Sequence, residues 1–530
     1  MNIRDIRVFG VVTIVVLSVF GGFVGIAAGQ TGATSIDECT VITESGRYVL
    51  TGDIRDARGL VDDERRICIQ IQANNVTFDG DGHVIDGVGS RTSDGIQTSS
   101  ENVTVRDVTV SDWGTGIYVF GSGINMVVEN VVAENNRFGI ASSDGDLTVR
   151  DSHARENDVG ISGDFGSFTV ERSAVYDNGL GILSSETEVR IVDSVVRDND
   201  GVGIEVFVGR ATVAQNTIEG NEIGLYLFGT ADGTFERNSI TDNRRHGILV
   251  EGAMEFEDSD RNVIRENTVE RNGVNGIYLV GRTAENLVER NSVNDNGNDG
   301  IGIQGSDGDV AVEHRIVRNT VTGNVDDGIS LGEGAERNEI RNNVVAGNGG
   351  DGIFVRGAEA TTVVSNEFRG NAVNGVFVTG GAAGTVVESN TVLENRNDGI
   401  GLGEATETVV DDNEVRNNRD DGIGLGEGSD GTELVDNVVT RNGDDGFFLR
   451  GTDGNTLDGN VVRDNGDDGI YLLRADDNEI VDNEVVSNDD EGIELDNSDD
   501  NLVEDNDVRD NGGREILVRN GSGGNVVRNN

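Results

Sequence analysis

The sequence contains no lysine and no proline, and it has only two cysteines, three methionines and four histidines among 530 residues. Every basic side chain is therefore an arginine, and 41 of them face 97 acidic residues for a formal net charge of −56. Such a charge repels nucleic acid and anionic membranes, which argues against partners of either class. Such a charge is typical of a surface adapted to high salt. At 1 M salt the Debye length is roughly 3 Å, so neighbouring acidic groups barely repel one another.

A long apolar run occurs at the N-terminus. Arg4 and Arg7 precede the run Val8–Val24, and small residues follow up to Ala28. This pattern predicts a signal peptide over residues 1–29. The alternative is an uncleaved N-terminal anchor, since the run is long for a signal. We expect a secreted or cell-surface protein with no membrane span beyond this segment.

Two features agree with export. Cys39 and Cys68 are the only cysteines, and an isolated pair in an exported chain predicts a disulfide, with two buried thiols as the alternative. Closing a loop of about 30 residues would contribute roughly 3–4 kcal/mol. Asn75, Asn102 and Asn520 begin sequons for N-glycosylation, although sequons also arise by chance in an Asn-rich chain.

A block of about 23 residues recurs along the chain, and each copy carries a glycine followed by an apolar residue. Repetition at this period indicates a solenoid. The spacings are 21 to 24 residues, with two longer copies of 29 and 28. The anchor glycines are Gly95, Gly116, Gly139, Gly160, Gly181, Gly203, Gly224, Gly247, Gly276, Gly300, Gly328, Gly352, Gly375, Gly399, Gly422, Gly446, Gly469 and Gly492.

Within each block the apolar residues alternate, as in Gly276-Ile277-Tyr278-Leu279, which predicts short strands with Tyr278 facing outward. Two asparagine columns accompany the strands, nine and four residues before successive anchors. Stacked coils place equivalent residues about 4.8 Å apart, so these amides can hydrogen-bond as ladders. The columns are Asn267, Asn291, Asn319, Asn343, Asn366, Asn390, Asn413, Asn437, Asn460 and Asn483, and Asn243, Asn272, Asn296, Asn324, Asn348, Asn371, Asn395, Asn418, Asn442, Asn465 and Asn488.

This pattern resembles the right-handed parallel β-helix of the pectate-lyase-like superfamily over roughly residues 70–515. The resemblance implies an all-β right-handed parallel β-helix of about 18 coils. Residues 30–72 would form an N-terminal cap, residues 73–513 the β-helix and residues 514–530 a partial terminal coil. The repeat style also resembles the NosD-like proteins, exported β-helices linked to copper-enzyme maturation. The Asp-Pro-His-Asp motif of the alginate epimerases on this fold is excluded because the chain has no proline.

The residue before the anchor is acidic in nearly every coil from Gly300 onward. Carboxylate oxygens are the ligands that Ca²⁺ prefers, so calcium held between coils is one interpretation of this row. The interpretation that we favour is surface charge tolerated at high salt. The residues with which we associate Ca²⁺ are Asp421, Asp445 and Asp468.

A second outward column, two residues after the anchor, is rich in aromatic side chains that suit stacking against sugar rings, with ordinary cross-strand packing as the alternative. Arg356 and Arg450 follow this column closely and offer partners for acidic groups on a sugar. The aromatic candidates for substrate binding are Tyr226, Tyr278, Phe354, Phe377, Phe448 and Tyr471.

The two long coils carry extra residues around 251–260 and 306–315, and insertions in solenoids become loops on one face. These loops would flank Tyr278, where Arg245, His246 and Asp299 are the candidates for catalysis.

The sequence therefore predicts an exported, non-catalytic β-helix that presents a long face to polysaccharide or to cell-surface proteins. Two alternatives remain open. One is a polysaccharide lyase or glycoside hydrolase with a cleft near coils 247–328. The other is a NosD-like accessory role in copper-enzyme maturation.

Overall fold

The computed structural model describes residues 32–62, 65–252, 258–306 and 308–530. All regular elements among these residues are β-strands. None of the described residues forms a helix that could span a membrane. The predicted signal peptide, residues 1–29, lies outside the described residues.

The chain winds into a right-handed parallel β-helix of about 20 turns, which confirms the predicted fold class. Each turn contributes one short strand to each of three parallel sheets, called sheet 1, sheet 2 and sheet 3 in the order in which a turn visits them from its anchor glycine. Four strands are long enough to run from one sheet into the next: Val84–Thr98 and Thr109–Phe120 from sheet 3 into sheet 1, and Leu180–Val192 and Ile204–Ala214 from sheet 1 into sheet 2.

Sheet 1 follows the anchor glycines. Besides parts of the long strands, it contains Thr40–Ile42, Arg65–Ile71, Phe138–Ser143, Val159–Asp164, Leu225–Thr230, Ile248–Gly252, Ile277–Gly281, Ile301–Gln304, Ile329–Leu331, Ile353–Arg356, Val376–Thr379, Ile400–Gly403, Ile423–Leu425, Phe447–Arg450, Ile470–Leu473, Ile493–Asp496 and Ile516–Arg519.

Sheet 2 comes next in each turn. Its strands are Thr34–Ile36, Gly46–Leu50, Val76–Asp79, Val103–Arg106, Asn125–Glu129, Asp146–Arg150, Ser167–Glu171, Thr234–Glu236, Val263–Arg265, Leu287–Glu289, Arg315–Val317, Glu339–Arg341, Thr362–Val364, Val386–Glu388, Val409–Asp411, Glu433–Val435, Thr456–Asp458, Glu479–Val481, Leu502–Glu504 and Val526–Arg528.

Sheet 3 completes the turn. Its strands are Val132–Glu134, His153–Arg155, Ala174–Tyr176, Val195–Arg197, Thr217–Glu219, Ser239–Thr241, Thr268–Glu270, Ser292–Asn294, Thr320–Thr322, Val344–Ala346, Glu367–Arg369, Thr391–Leu393, Glu414–Arg416, Val438–Thr440, Val461–Arg463, Glu484–Val486 and Asp507–Arg509. Four two-residue strands, Ser259–Asp260, Thr283–Ala284, Ala311–Val312 and Ala335–Glu336, stack at the corner between sheets 1 and 2.

Inward and outward side chains alternate along each strand, as the sequence predicts, and the inward side chains form the core. Ile277 and Leu279 are fully buried inside the coil, whereas Tyr278 between them faces outward. Inward side chains of successive turns stack on one another, so the core is a narrow column in which each turn depends on its neighbours.

Both predicted asparagine ladders are present. For example, Nδ2 of Asn413 donates to Oδ1 of Asn437 at 3.0 Å, and the backbone N–H of Asn413 donates to the same oxygen at 3.1 Å. Each amide oxygen thus accepts two hydrogen bonds from the preceding turn, which satisfies a buried backbone donor at the two corners that the ladders occupy.

A third ladder is present that the sequence analysis does not predict. It lies fourteen residues before the anchors, at the corner between sheets 1 and 2, and contains Asn286 and Asn338. His314 takes one position in it: its Nδ1 accepts the N–H of Asn286 at 3.1 Å, and its Nε2 lies 3.0 Å from the Thr283 hydroxyl. Burial lowers the pKa of His314 to about 3, so this imidazole is a neutral structural substitute for an asparagine.

The N-terminal end begins its parallel stacking early. Thr34–Ile36 pairs with Gly46–Leu50, and Thr40–Ile42 pairs with Arg65–Ile71. Leu60–Asp62 folds back on Arg65–Ile71 as an antiparallel hairpin. The predicted disulfide between Cys39 and Cys68 is confirmed, with Cα atoms 4.4 Å apart.

Candidate functional site

The outer face of sheet 1 brings the predicted acidic and aromatic columns side by side. Strand register places Tyr278, Gly302, Ser330, Phe354 and Phe377 on consecutive turns of one column. The acidic residues that precede the anchors form a parallel row beside it. The face therefore presents rings, bare backbone and carboxyl groups in a fixed order.

A depression of about 470 Å³ opens on this face, with Tyr278 at one end and Phe354 at the other. Asp299 and Asp327 line one side, and Arg356 lies at its edge. Four residues selected from the sequence thus meet in one place: Tyr278, Asp299, Phe354 and Arg356. We call this feature the sheet 1 depression.

The carboxyl groups of the depression are held by hydrogen bonds between turns. Oδ1 of Asp299 accepts the N–H of Asp327 at 3.3 Å, and Oδ2 accepts the Ser330 hydroxyl at 2.6 Å. Asp299, Asp326 and Asp327 each place one carboxylate oxygen within 4.8 Å of the others. Burial raises the pKa of Asp299, and burial together with Asp351 and Asp299 raises that of Asp327 to about 8.

The acidic row continues beyond the depression with the same construction. Oδ1 of Asp421 accepts the N–H of Asp445 at 3.1 Å, and Oδ1 of Asp445 accepts the N–H of Asp468 at 2.9 Å. Burial, followed by neighbouring carboxylates, raises the pKa of Asp421 to about 8 and that of Asp445 to about 9. One oxygen of each carboxyl is thus committed to the backbone.

The residues with which the sequence associates calcium are indeed brought together. Asp421 groups with Asp420 and Asp444, and Asp445 groups with Asp444 and Asp467, each group having oxygens within 4.8 Å. Asp468 belongs to two further groups of this kind. Calcium binding by this row remains a prediction.

The candidates for catalysis have different surroundings. His246 occupies the same row as Asp299, two turns away, so the two are roughly 10 Å apart. It is 6% exposed, stacks against Tyr278 with ring centroids 5.4 Å apart, and burial lowers its pKa to about 4. Arg245 is an outward neighbour that pairs with Glu222 at 3.7 Å. Of the three candidates only Asp299 lines the depression.

The aromatic side chains of the column are half-buried and stack in pairs. Phe354 and Phe377 have ring centroids 5.9 Å apart, and Phe448 and Tyr471 have centroids 5.3 Å apart. Tyr226 lies nearer the N-terminus, where its hydroxyl donates to Oε2 of Glu251 at 2.8 Å. Cross-strand packing therefore accounts for part of each ring surface, and the outer edges remain on the face.

The three sequon asparagines all adopt left-handed backbone conformations at exposed turns. Nδ2 of Asn102 donates to Oδ1 of Asn75 at 3.2 Å, and Nδ2 of Asn520 donates to Asp496 at 2.7 Å. Their glycosylation remains a prediction.

Comparison with known proteins gives two family matches. A model described as a right-handed β-helix region matches residues 94–223, 208–315 and 311–461. A model described as periplasmic copper-binding protein (NosD) matches residues 421–530. No curated protein sequence matches the chain.

Several solved structures are also similar. A mutant of the periplasmic alginate epimerase AlgG is 16% identical, with 55% of this chain and 77% of that chain covered and a TM-score of 0.42. The mannuronan C-5 epimerase AlgE4 A-module of Azotobacter vinelandii is 17% identical, with 70% and 86% covered and a TM-score of 0.28. A mutant tailspike protein of E. coli bacteriophage HK620, in complex with a pentasaccharide, is 12% identical, with 69% of each chain covered and a TM-score of 0.34. Such distant similarity carries no argument about what this chain binds.

The copper chemistry named by the second match does not fit the residues present. Copper sites use thiolate, thioether or imidazole ligands. Residues 421–530 contain no histidine, cysteine or methionine. Among the described residues, the groups of side chains placed to hold a metal consist only of carboxylates.

Proposed function

This chain belongs to the family of proteins with a right-handed β-helix region, and we propose that it binds an extended polysaccharide along the outer face of sheet 1. The observation that carries the proposal is the sheet 1 depression, in which aromatic rings, buried carboxyl groups and an arginine converge on one open site. An open depression on a long flat face suits a polymer that runs along it better than a small molecule that must be enclosed.

Each side chain in the depression has a role in this proposal. Tyr278 and Phe354 offer ring edges and faces at the two ends, against which sugar rings pack. Asp299 and Asp327 accept hydrogen bonds from sugar hydroxyls or, when protonated, donate one. Arg356 makes no ion pair among the described residues, so its guanidinium is available to a ligand oxygen.

The charge of the protein narrows the ligand class. A net charge of −56 repels a polyanion unless salt or bound cations intervene. We therefore propose a neutral, hydroxyl-rich polysaccharide as the preferred ligand. We also propose that the protein acts outside the cell or at its surface, since a disulfide persists in oxidising compartments. Cell-surface proteins are the alternative partners.

Affinity electrophoresis tests the proposal. The protein is run through native gels containing hydroxyethylcellulose, arabinoxylan or polygalacturonate, at low salt and in molar KCl. Retardation in a neutral polymer that is weakened by Tyr278→Ala and Arg356→Gln is the expected result. Arg463→Gln, on the outer face of sheet 3, is the matched control for loss of one positive charge. Equal mobility of the wild type in all gels would refute polysaccharide binding.

A second candidate function is catalysis at the same depression, and the raised pKa of Asp327 favours it. A carboxyl that retains its proton near neutral pH serves as a general acid, and the Asp299 carboxyl lies one turn away on the same side of the depression. Incubation with the same polysaccharides, followed by reducing-end and unsaturated-product assays, distinguishes cleavage from binding. Cleavage is expected to disappear in Asp327→Asn. Cleavage that survives this substitution would place the chemistry elsewhere.

A further inference from the structure

The region that contains the sheet 1 depression occurs twice in the sequence. Four segments recur either 99 or 94 residues later with nearly the same residues. VNGIYLVG at 274–281 matches VNGVFVTG at 373–380, and NDGIGI at 298–303 matches NDGIGL at 397–402. DDGISLGEG at 326–334 matches DDGIGLGEG at 420–428, and DGIFVRG at 351–357 matches DGFFLRG at 445–451. Four consecutive turns thus have counterparts in later turns.

The aromatic ends of the two regions have the same geometry. The ring of Tyr278 packs against Gly302 of the next turn, and a Cβ placed on Gly302 would lie 2.9 Å from Cδ2 of Tyr278. Phe377 packs against Gly401 in the same way, and a Cβ there would lie 3.0 Å from Cδ2 of Phe377. A side chain at either glycine would therefore be too close to the ring in its present position.

The carboxyl side is repeated as closely. Oδ1 of Asp398 accepts the N–H of Asp421 at 3.3 Å, as Oδ1 of Asp299 accepts the N–H of Asp327 at 3.3 Å. The pKa of Asp421 is raised to about 8, mainly by burial, and that of Asp327 is also raised to about 8.

Supporting contacts recur on both sides of the two regions. Asn298 donates to Asn275 at 2.9 Å, and its counterpart Asn397 donates to Asn374 at 2.8 Å. Beyond the other end of the first region, the Glu333 side chain packs against Gly357, where an added Cβ would lie 3.0 Å from Cγ of Glu333. The equivalent distance from Gly451 to Cγ of Glu427 is also 3.0 Å.

We infer that the outer face of sheet 1 carries a second binding subsite, between Phe377 and Phe448, that takes the same unit of the same polysaccharide as the sheet 1 depression. The inference rests on the proposed function. Four turns separate equivalent residues, so the two subsites lie about 19 Å apart along the rod. The ligand is a linear polymer that presents the same surface at this interval. Arg450 corresponds to Arg356 at the edge of the second subsite.

The second subsite is the more open of the two. Gly424 stands where the first has Ser330, and Gly403 stands where the first has Gln304. The Ser330 hydroxyl donates to Asp299, whereas Gly424 leaves Oδ2 of Asp398 3.2 Å from the position of an added Cβ. A sugar hydroxyl can occupy that hydrogen-bonding position in the second subsite.

Two filling substitutions test the inference. Ser330→Phe fills the sheet 1 depression, and Gly424→Phe fills the second subsite. Phenylalanine is chosen because the same outward column already carries it at 354, 377 and 448. Ser162→Phe adds a ring to the same column far from both subsites and is the matched control. Should Gly424→Phe fail to fold, Arg450→Gln paired with Arg356→Gln replaces it.

The probes are hydroxyethylcellulose, arabinoxylan and polygalacturonate, and size-fractionated fragments of whichever of them retards the wild type. We expect each filling substitution to weaken binding of the intact polymer at least tenfold, because either substitution removes one of the two points at which the polymer is held. Fragments too short to span about 19 Å should bind wild type at two sites. Calorimetry should show one remaining site in either single variant, with the Kd that this site has in the wild type.

The outcomes separate the two proposals. Failure of the wild type to bind any of the three polymers overturns both the proposed function and the second subsite. Binding by the wild type that Ser330→Phe weakens and Gly424→Phe leaves at the level of Ser162→Phe overturns the second subsite alone. One fragment per wild-type molecule would overturn it as well.

Discussion

Asp351→Asn offers a direct test of how the buried acidic row affects stability. Asp351 is 7% exposed, and its Oδ1 accepts the N–H of Asn374 at 2.8 Å. Burial is the main reason that its pKa rises from 3.8 to about 6. An asparagine keeps the acceptor oxygen and removes the charge, and Asn374 already fills the next position of the row in this way.

The magnitude follows from the pKa. A carboxyl whose folded pKa is raised holds its proton more tightly in the folded state, so the folded state loses stability as pH rises from about 4 to about 6. A shift of about 2 units corresponds to about 3 kcal/mol at pH 8. Asp351→Asn should recover up to about this amount at pH 8 and almost nothing at pH 4. Since burial dominates over neighbouring charges, the gain should persist in molar KCl.

Native-state hydrogen exchange is the suitable assay, because each turn of a solenoid opens with its neighbours rather than with the whole chain. The opening free energy of the turns around residue 351 is compared between wild type and variant at both pH values. Glu433→Gln, an exposed acid on the outer face of sheet 2, controls for removal of one negative charge. Equal opening free energies at pH 8, or a less stable variant, would show that the buried Asp351 carboxylate does not destabilise the folded state.

Three further predictions concern other parts of the rod. His314→Asn should keep thermal stability close to wild type, because asparagines hold the same position in the two adjoining turns, at 286 and 338. His314→Ala should cost about 1–3 kcal/mol by leaving the backbone N–H of Asn286 unpaired, and a tolerated alanine would contradict the ladder role. Reduction of the Cys39–Cys68 disulfide should destabilise the N-terminal turns by roughly 3–4 kcal/mol and leave exchange in the C-terminal turns unchanged, and uniform loss of protection would contradict this. Calorimetry with Ca²⁺ in molar KCl at pH 8 should show binding that Asp445→Asn weakens at least fivefold, as expected for lost carboxylate ligands, and identical titrations would contradict a calcium role for the row.

Much of the fold follows from the sequence because each turn of a solenoid repeats the same pattern of residues at a nearly fixed spacing. The anchor glycines, the inward alternation of Ile277 and Leu279 and both longer asparagine columns have their predicted positions. The third ladder was missed because threonines replace asparagine at 361, 385, 408 and 432 and a histidine replaces it at 314. Reading the column fourteen residues before each anchor would have revealed it.

The site was predictable only in its parts. Periodicity places Tyr278, Asp299 and Phe354 on one face, but it does not show which residues of the row line a depression. His246 and Asp299 belong to the same row and are about equally buried, yet only Asp299 lines the depression, whereas the His246 ring stacks against Tyr278.

Hydroxyl-radical footprinting of the protein, with and without the polymer that retards it, shows directly whether the ligand lies along the outer face of sheet 1. Oxidation is measured by mass spectrometry at Tyr278, Phe354, Phe377 and Phe448, with Tyr176 on sheet 3 as the internal reference. We expect the polymer to protect the four sheet 1 rings several-fold and to leave the oxidation of Tyr176 unchanged. Equal oxidation of the sheet 1 rings in the bound and free protein would show that the ligand does not lie along this face.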